Sequence, residues 1–310
     1  MQIDNKVRLL FVITKLELGG AQKQALELIK GLDKDKFSPI LYTAKEGILV
    51  KEALEISGLE LRLSSFLERS INPIKDFFAL LELCIFVKSK KIDILHTHSS
   101  KAGILGRLAG RLCRVKVILH TVHGWSFNDF QPLIKKKIFV WFERFCSSFT
   151  DVLIVVSEFD KAKGIALGIG REDKYRIVRY GIDQSVFKKN SGSELKRSLG
   201  VFPQDVLVGT VCCFKPQKAP QDFVKVAYLI SRQHPNVKFI LAGDGESRPE
   251  VEKLIQEYGL KNKVILVGWR NDIAEIMSAL DIFVLTSLWE GLPVSVLEAM
   301  SCSKPVVATD

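Results

Sequence analysis

No run of about 18 consecutive apolar residues occurs in this 310-residue sequence, so no segment of it reads as a membrane-spanning helix. The longest candidate, "FFALLELCIFVKSKK", is interrupted by Glu82 and closes on lysines. The amino terminus "MQIDNKVRLLFVIT" lacks the basic segment, long apolar core and small-residue cleavage site of a secretory leader. The six cysteines (Cys84, Cys113, Cys146, Cys212, Cys213 and Cys302) include no CxxC pair and have mostly apolar neighbours. They read as small core hydrophobes in a reducing, cytoplasmic compartment. Cys212 and Cys213 are adjacent, but strand neighbours point to opposite faces, which argues against a redox pair. No GxGxxG follows an apolar strand, which disfavours a nicotinamide enzyme. No recognisable nucleic-acid motif accompanies the basic residues, and nucleic acid is not an expected partner.

What is present is globular: 47% of residues are hydrophobic and 26% charged, with a net charge of +10. That surplus favours an acidic partner, either a phosphorylated ligand or an anionic membrane surface. The densest basic cluster is "PLIKKKIFVWFERF", where Lys135, Lys136 and Lys137 adjoin Phe139, Trp141, Phe142 and Phe145. A basic helix carrying aromatics can lie on a membrane surface, and it can equally be a solvated turn on a helix of its own domain.

Short β-branched runs alternate with helical patterns, the signature of parallel sheets covered by helices. "VRLLFVIT", "FSPILYT", "LELRLS", "IDILHTH", "VKVILHTV", "DVLIVVS" and "RIVRYG" read as one series of strands. A polar stretch holding Asn190, Ser191, Gly192 and Ser193 reads as a linker. "DVLVGTVCCF", "VKFILAGDG", "KVILVGW", "IFVLTS" and "KPVVATD" form a second series. The expectation is two tandem Rossmann-like domains, 1–185 and 186–310, with ligands at the strand carboxyl ends in a cleft between them. The second sheet lacks the turn and helix that should follow "KPVVATD", so its domain reads as incomplete, cut from a longer chain.

Two carboxylates stand out in "SLWEGLPVSVLEAMSCSKPVVATD", because no other charged side chain lies between Trp289 and Ser303. Pro293 suits a first helical position, which leaves Glu290 in the preceding loop and Glu298 inside the helix, ~7–8 Å along the axis. Between them sit the free N–H groups of the helix start, on the backbone that runs from Gly291 to Val294, which favour an anion. Carboxylates accept paired hydroxyls and a helix start faces a phosphate, so the composition matches a nucleoside diphosphate sugar. Gly19 and Gly20 follow the first strand and open a helix, where backbone N–H groups can approach a phosphate. Four of the five histidines lie in "HTHSS" and "HTVHG"; His96 and His98 share a strand face, where zinc is conceivable although no third ligand accompanies them. Arg107 and Arg111, four apart on a helix, face either a cleft or solvent.

"EGLPVSVLEAM" resembles the E-x7-E motif of the family 4 retaining glycosyltransferases, whose GT-B fold pairs two Rossmann-like domains. "LELGGAQKQALELIKGL", "DILHTHSSKAGILGRLAG", "HTVHG", "VSE", "RIVRYGID", "PQKAPQDFV", "LAGDGE" and "VILVGWRNDIAEIMSALDIFVLTS" are similar to further landmarks of that family, in the same order, over nearly the whole chain. The resemblance implies a donor site of Gly19, Gly20, Lys218, Gly243, Glu290, Gly291, Leu292, Pro293, Val294 and Glu298. Within it, Lys218 meets the donor diphosphate and His123 lies near the transferred sugar, so that His123, Lys218 and Glu290 are the catalytic candidates. His96, His98 and Arg107 are acceptor-side candidates. The resemblance departs at Cys213, where the family often carries an arginine, and at Ala219, where it often carries glycine; Lys215 is a possible substitute for the missing cation.

The expected reaction transfers a sugar from a nucleoside diphosphate sugar to the hydroxyl of a lipid-linked or saccharide acceptor, with no metal or other cofactor, in the cytoplasm or on the inner face of the membrane. A glycoside hydrolase also uses two carboxylates, but it needs them across one bond rather than about a helix start. A nucleotide-sugar 2-epimerase on the same double-Rossmann plan and a catalytically inactive acceptor- or membrane-binding fragment are the remaining alternatives.

Overall fold

The computed structural model describes residues 6–128 and 130–310, and the chain divides into two units, Met1–Tyr180 and Gly181–Asp310. The first holds strands β1 (Val7–Val12), β2 (Phe37–Ala44), β3 (Glu60–Ser64), β4 (Ile94–His98), β5 (Val117–Val122), β6 (Val152–Val155) and β7 (Tyr175–Ile177). Its helices are α1 (Gly20–Lys30), α2 (Val50–Leu54), α3 (Pro73–Lys90), α4 (Ser100–Leu112), α5 (Leu133–Ser147) and α6 (Glu158–Ala166). The second holds β8 (Val206–Val211), β9 (Val237–Ala242), β10 (Val264–Gly268), β11 (Ile282–Leu285) and β12 (Val306–Ala308). Its helices are α7 (Ser193–Ser198), α8 (Pro220–Ser231), α9 (Arg248–Glu257), α10 (Ile273–Ala279) and α11 (Val294–Ser301).

Both sheets are parallel throughout, as the alternating strand and helix patterns require. Their orders are β3-β2-β1-β4-β5-β6-β7 and β10-β9-β8-β11-β12. In each, the chain goes outward from its first strand in one direction, then returns to the other side, creating a topological switch point between β1 and β4 and between β8 and β11. Adjacent loops diverge there, leaving the crevice in which such sheets bind ligands. Alternation along the strands feeds both faces: Leu9 and Phe11 enter one core with α1, while Leu10 and Val12 enter another with α3 and α4. In the second sheet Leu207 and Ile240 face one core, Val208, Phe239 and Leu241 the other.

Helix α4 lies close over β4 and β5 because Gly103, Gly106 and Gly110 line its inner face; a Cβ at these positions would come within 2.6 Å of His120, 2.5 Å of Thr97 and 2.7 Å of Leu95. Helix α3 starts at Asn72, whose side chain accepts from the Lys75 N–H at 3.1 Å, with Pro73 at the first helical position.

Two expectations are revised. The polar stretch around Asn190 is no free linker: α7 packs on the second unit through Leu195 and Leu199, spaced one turn apart, and Gly192 lies against the Ala279 backbone of α10. The strand read as "DVLVGTVCCF" ends at Val211, so Cys212 and Cys213 lie in the loop beyond it rather than on opposite faces of a strand. That loop stays in register with its neighbour through Cys212 N–H to Ala242 O at 3.0 Å and Phe214 N–H to Asp244 O at 2.9 Å.

Candidate functional site

At the second switch point, the loop after β8 meets the loop after β11. Residues 216–218 form one 3₁₀ turn that ends on Ala219 in the left-handed region, φ +42°, so the expected glycine is replaced by an alanine that keeps a glycine-like backbone. The Leu288 N–H donates to Gln217 O at 2.8 Å, the Gln217 Nε2 donates back to Trp289 O at 2.9 Å, and the Thr286 hydroxyl donates to Ala219 O at 3.0 Å. These three bonds clamp the two loops, and the clamp presents Lys218 and Glu290, whose side chains form an ion pair. Both side chains remain partly exposed, at 21% and 18%. The two residues singled out 72 positions apart are thus neighbours at the site.

Gly291, Leu292, Pro293 and Val294 follow Glu290 into α11. Pro293 caps the helix rather than opening it, no side chain caps the start, and no acid occupies the first turn. The start of α11 therefore presents its positive dipole end with no acid of its own first turn to offset it. Glu298, in the next turns of α11, is buried, which excludes a solvated surface role. Gly243 belongs to the same end of the sheet for a backbone reason: its φ is +134°, and a Cβ would lie 1.8 Å from Cys212 O. Cys212 is a partly buried thiol whose pKa desolvation pushes up to about 12, so it is no thiolate near neutral pH.

At the first switch point, Thr14 after β1 and Ser99 after β4 join through their hydroxyls at 2.8 Å. Ser99 has φ +61° and ψ 159°, a backbone region that non-glycine residues occupy only when their surroundings impose it. The imposing contacts are Ser99 Oγ to Thr14 N–H at 3.3 Å and Thr14 Oγ1 to the Ala102 N–H at 3.2 Å. Gly19 is the residue before α1, in an extended conformation, and no side chain caps that helix.

Beside this crevice the histidines stack in a column from Phe11 through His96, His98 and His123 to Tyr180, with His96 and His98 centroids 4.3 Å apart. His96 Nε2 bonds the Thr121 hydroxyl at 2.7 Å, His98 Nδ1 bonds His123 Nε2 at 2.9 Å, and His123 Nδ1 bonds the Tyr180 hydroxyl at 2.5 Å. Burial holds His96 down to about 3 and His123 to about 4, and burial first, then the neighbouring histidines, holds His98 well below its ordinary value. His120, hydrogen-bonded to Thr97 at 2.9 Å, is lowered by burial and next by Arg107. The column is neutral at pH 7, and both ring nitrogens of His123 are already used. His123 therefore has no ring nitrogen left for a further hydrogen bond. His96 Nε2 and His98 Nδ1 are taken by Thr121 and His123, while His98 Nε2 is buried without a hydrogen-bond partner, and no three-residue group of His, Cys, Asp or Glu suited to a metal occurs among the described residues.

Arg107 faces neither cleft nor solvent. Its side chain is fully buried, donating from Nε to Gly103 O at 2.8 Å and from Nη2 to Glu143 Oε2 of α5 at 2.8 Å. Two functional features escape the sequence pattern. The Gln217 clamp uses mainly backbone atoms, which leave no trace in residue type. Tyr180 stands in "RIVRYGID" with nothing to signal that its hydroxyl meets His123.

Two family models match: "Glycosyltransferase Family 4" over residues 18–186 and "Glycosyl transferases group 1" over residues 192–310. The chain is 34% identical over 311 residues to the Escherichia coli UDP-Gal:alpha-D-GlcNAc-diphosphoundecaprenol alpha-1,3-galactosyltransferase, covering 99% of this chain and 80% of that protein. It is 30% identical to the Escherichia coli O-antigen biosynthesis glycosyltransferase WbnH, covering 97% and 80%. Among solved structures it resembles Anabaena HepE in complex with UDP-glucose, with a TM-score of 0.82 at 23% identity over 97% of this chain and 80% of that one, a likeness of fold.

Proposed function

We propose, from the premise that this chain belongs to the family 4 glycosyltransferases, that it transfers a sugar, with retention of configuration, from a nucleoside diphosphate sugar to a lipid-linked saccharide hydroxyl. The observation that carries this reading is the Lys218–Glu290 pair, held by the Gln217 clamp beside the uncapped start of α11. One cation, one hydroxyl acceptor and one helix start converge there, and a nucleoside diphosphate sugar needs all three. On donor binding, Lys218 turns to the diphosphate and Glu290 to the sugar hydroxyls, each exchanging its partner for the ligand. Gly291 to Val294 face the diphosphate and Glu298 the ribose. Gly19 and Gly20 offer backbone N–H groups to the phosphates, and Gly243 keeps the turn beside the site tight. The first unit is the acceptor side, with His96 and His98 behind the acceptor pocket and His123 offering its carbonyl to the anomeric centre.

The chemistry is a front-face displacement. The bond from the anomeric carbon to the phosphate oxygen breaks, and its electrons stay on the phosphate. The acceptor oxygen bonds to the same face of that carbon, and its proton passes to the departing phosphate oxygen. Lys218 stabilises the charge that develops on the diphosphate, so the scheme calls for no metal cofactor. Holding the acceptor oxygen against the same face of the anomeric carbon as the departing phosphate supplies much of the remaining acceleration. The reaction belongs in the cytoplasm, on the inner face of the membrane where a lipid-linked acceptor presents its sugar.

The activity that names the E. coli relative makes UDP-galactose with a diphosphoundecaprenol-linked N-acetylglucosamine the first pair to assay. Release of UDP that depends on acceptor, with an α-anomeric product by NMR, supports the proposal. Conversion of donor sugar without acceptor would instead support the epimerase reading, and a β-anomeric product would refute retention.

A further inference from the structure

The first unit carries two helices with an exposed apolar stripe besides the face they bury. Toward the sheet, α3 buries Ala79, Leu83 and Val87, while Ile74, Phe77, Phe78, Leu81 and Ile85 form an exposed stripe at i, i+3, i+4, i+7 and i+11. On α5, Val140, Glu143, Cys146 and Ser147 are buried, while Ile134, Ile138, Trp141 and Phe145 are exposed at i, i+4, i+7 and i+11. Each stripe runs about 16 Å along its axis. One amphipathic face suffices for packing on a sheet, so the second stripe needs another apolar neighbour. Both helices pack on α4, one on each of its flanks.

The charges say what that neighbour is. By helical spacing Lys135 and Lys137 flank the α5 stripe on its two sides, and the one acid of α5, Glu143, is buried against Arg107. Both acids of α3 are turned onto cations: Asp76 onto Lys101 and Glu82 onto Arg62, the latter at 3.0 Å. On α3, Lys75 and Lys90 are paired with Glu68 and Glu60, whereas the α5 stripe is bordered by Lys135 and Lys137, which have no carboxylate partner among the described residues and whose long stems let them reach an anionic headgroup layer. A second copy of the chain is disfavoured as occupant, because pairing the faces would bring the lysine borders together.

We propose that α3 and α5 together form the membrane-docking face of this protein, lying in the headgroup layer of an anionic bilayer with both apolar stripes immersed. The inference rests on the proposed membrane location and deepens it: the footprint is two helices, not the lysine turn alone. It sets the acceptor-side unit at the lipid surface, where a lipid-linked sugar would reach it without leaving the bilayer.

The test is flotation of the full chain with vesicles of phosphatidylcholine alone and of phosphatidylcholine with phosphatidylglycerol. Binding to the anionic vesicles that weakens with salt is expected. Ile74→Ser/Ile85→Ser on α3 and Trp141→Ser/Phe145→Ser on α5 are each expected to weaken it about tenfold or more. Lys135→Ser/Lys137→Ser should weaken it about thirtyfold. No flotation of the wild type, or an α3 variant that floats like wild type, overturns the two-helix face. A dimer in light scattering that these same substitutions dissolve would also overturn it, in favour of self-association. UDP binding by each variant reads the donor site separately, so loss of flotation with UDP binding retained concerns this surface and not the proposed transfer reaction.

Discussion

Replacing Glu143 by glutamine should expose how the first unit is held together. Arg107 and Glu143 have side-chain exposures of 0% and 4%, and their 2.8 Å bond joins α4 to α5. A guanidinium in that setting cannot lose its proton, so removal of the carboxylate charge strands a cation in a low-dielectric interior. The Gly103 carbonyl, which accepts from Arg107 Nε at 2.8 Å, compensates only part of this. Deleting one partner of a buried pair costs about 3–5 kcal/mol. For a unit of this size, 1 kcal/mol moves the melting temperature by roughly 2–4 °C, so the variant should melt roughly 10 °C below wild type. Differential scanning calorimetry at neutral pH is the assay. Arg107→Met/Glu143→Leu should recover most of the loss, since an apolar pair of similar volume removes both charges at once. A Glu143→Gln variant melting within about 1 °C of wild type would refute the internal role. So would an Arg107→Met variant of full stability that has lost acceptor use, which would return Arg107 to the acceptor site.

The histidine column makes stability pH-dependent with a defined sign. Because folding lowers the histidine values, the unfolded chain binds protons below pH ~6.5 that the folded chain refuses; stability is whole above that pH and falls toward 4 for His123 and 3 for His96, by about 1.4 kcal/mol per pH unit for each group. With His120 lowered as well, urea melts at several pH values should show an uptake of between about three and four protons on unfolding near pH 5.5, and an uptake below about one would sink the buried column. Gly243→Ala, with its Cβ driven to 1.8 Å from Cys212 O, should cost more than about 3 kcal/mol and leave the second unit open to limited proteolysis. Gly259→Ala, at φ +67° with nothing within 4 Å, is the mild control at about 1 kcal/mol, and equal behaviour of the two would contradict the packing account. Tyr180→Phe removes the hydroxyl that bonds His123 Nδ1, so kcat should fall with the donor KM little changed; an unaltered kcat would show that the column does not position His123.

The strands were readable because a buried parallel sheet writes itself as short apolar β-branched runs, and the glutamate helix because Gly291 and Pro293 punctuate its start. The pairing of Lys218 with Glu290 was approachable only through family resemblance, since the switch point that joins them depends on strand order, not on local pattern. Arg107 was misjudged for a related reason. Its spacing to Arg111 describes the helix surface, but whether that surface is buried depends on Glu143, 36 positions away. Helix α7, which starts at Ser193 inside the stretch read as a linker, was not legible because Leu195 and Leu199 are too few to announce a helix among polar neighbours. "FFALLELCIFVKSKK" was legible as apolar, yet one-dimensional hydropathy does not separate a stripe facing the core from one facing out.

The most direct test of the central claim is the transfer rate of Lys218→Ala and Glu290→Ala, each beside the double variant, with a nucleoside diphosphate sugar and a lipid-linked acceptor. Each single substitution is expected to lower kcat by about 10²–10³ while the melting temperature stays near wild type, because the pair is partly exposed and serves the ligand rather than the fold. The double variant should be little worse than the singles, since two groups acting on one transition state are not additive. Full transfer activity in either single variant would contradict the assignment of this pair to the donor site.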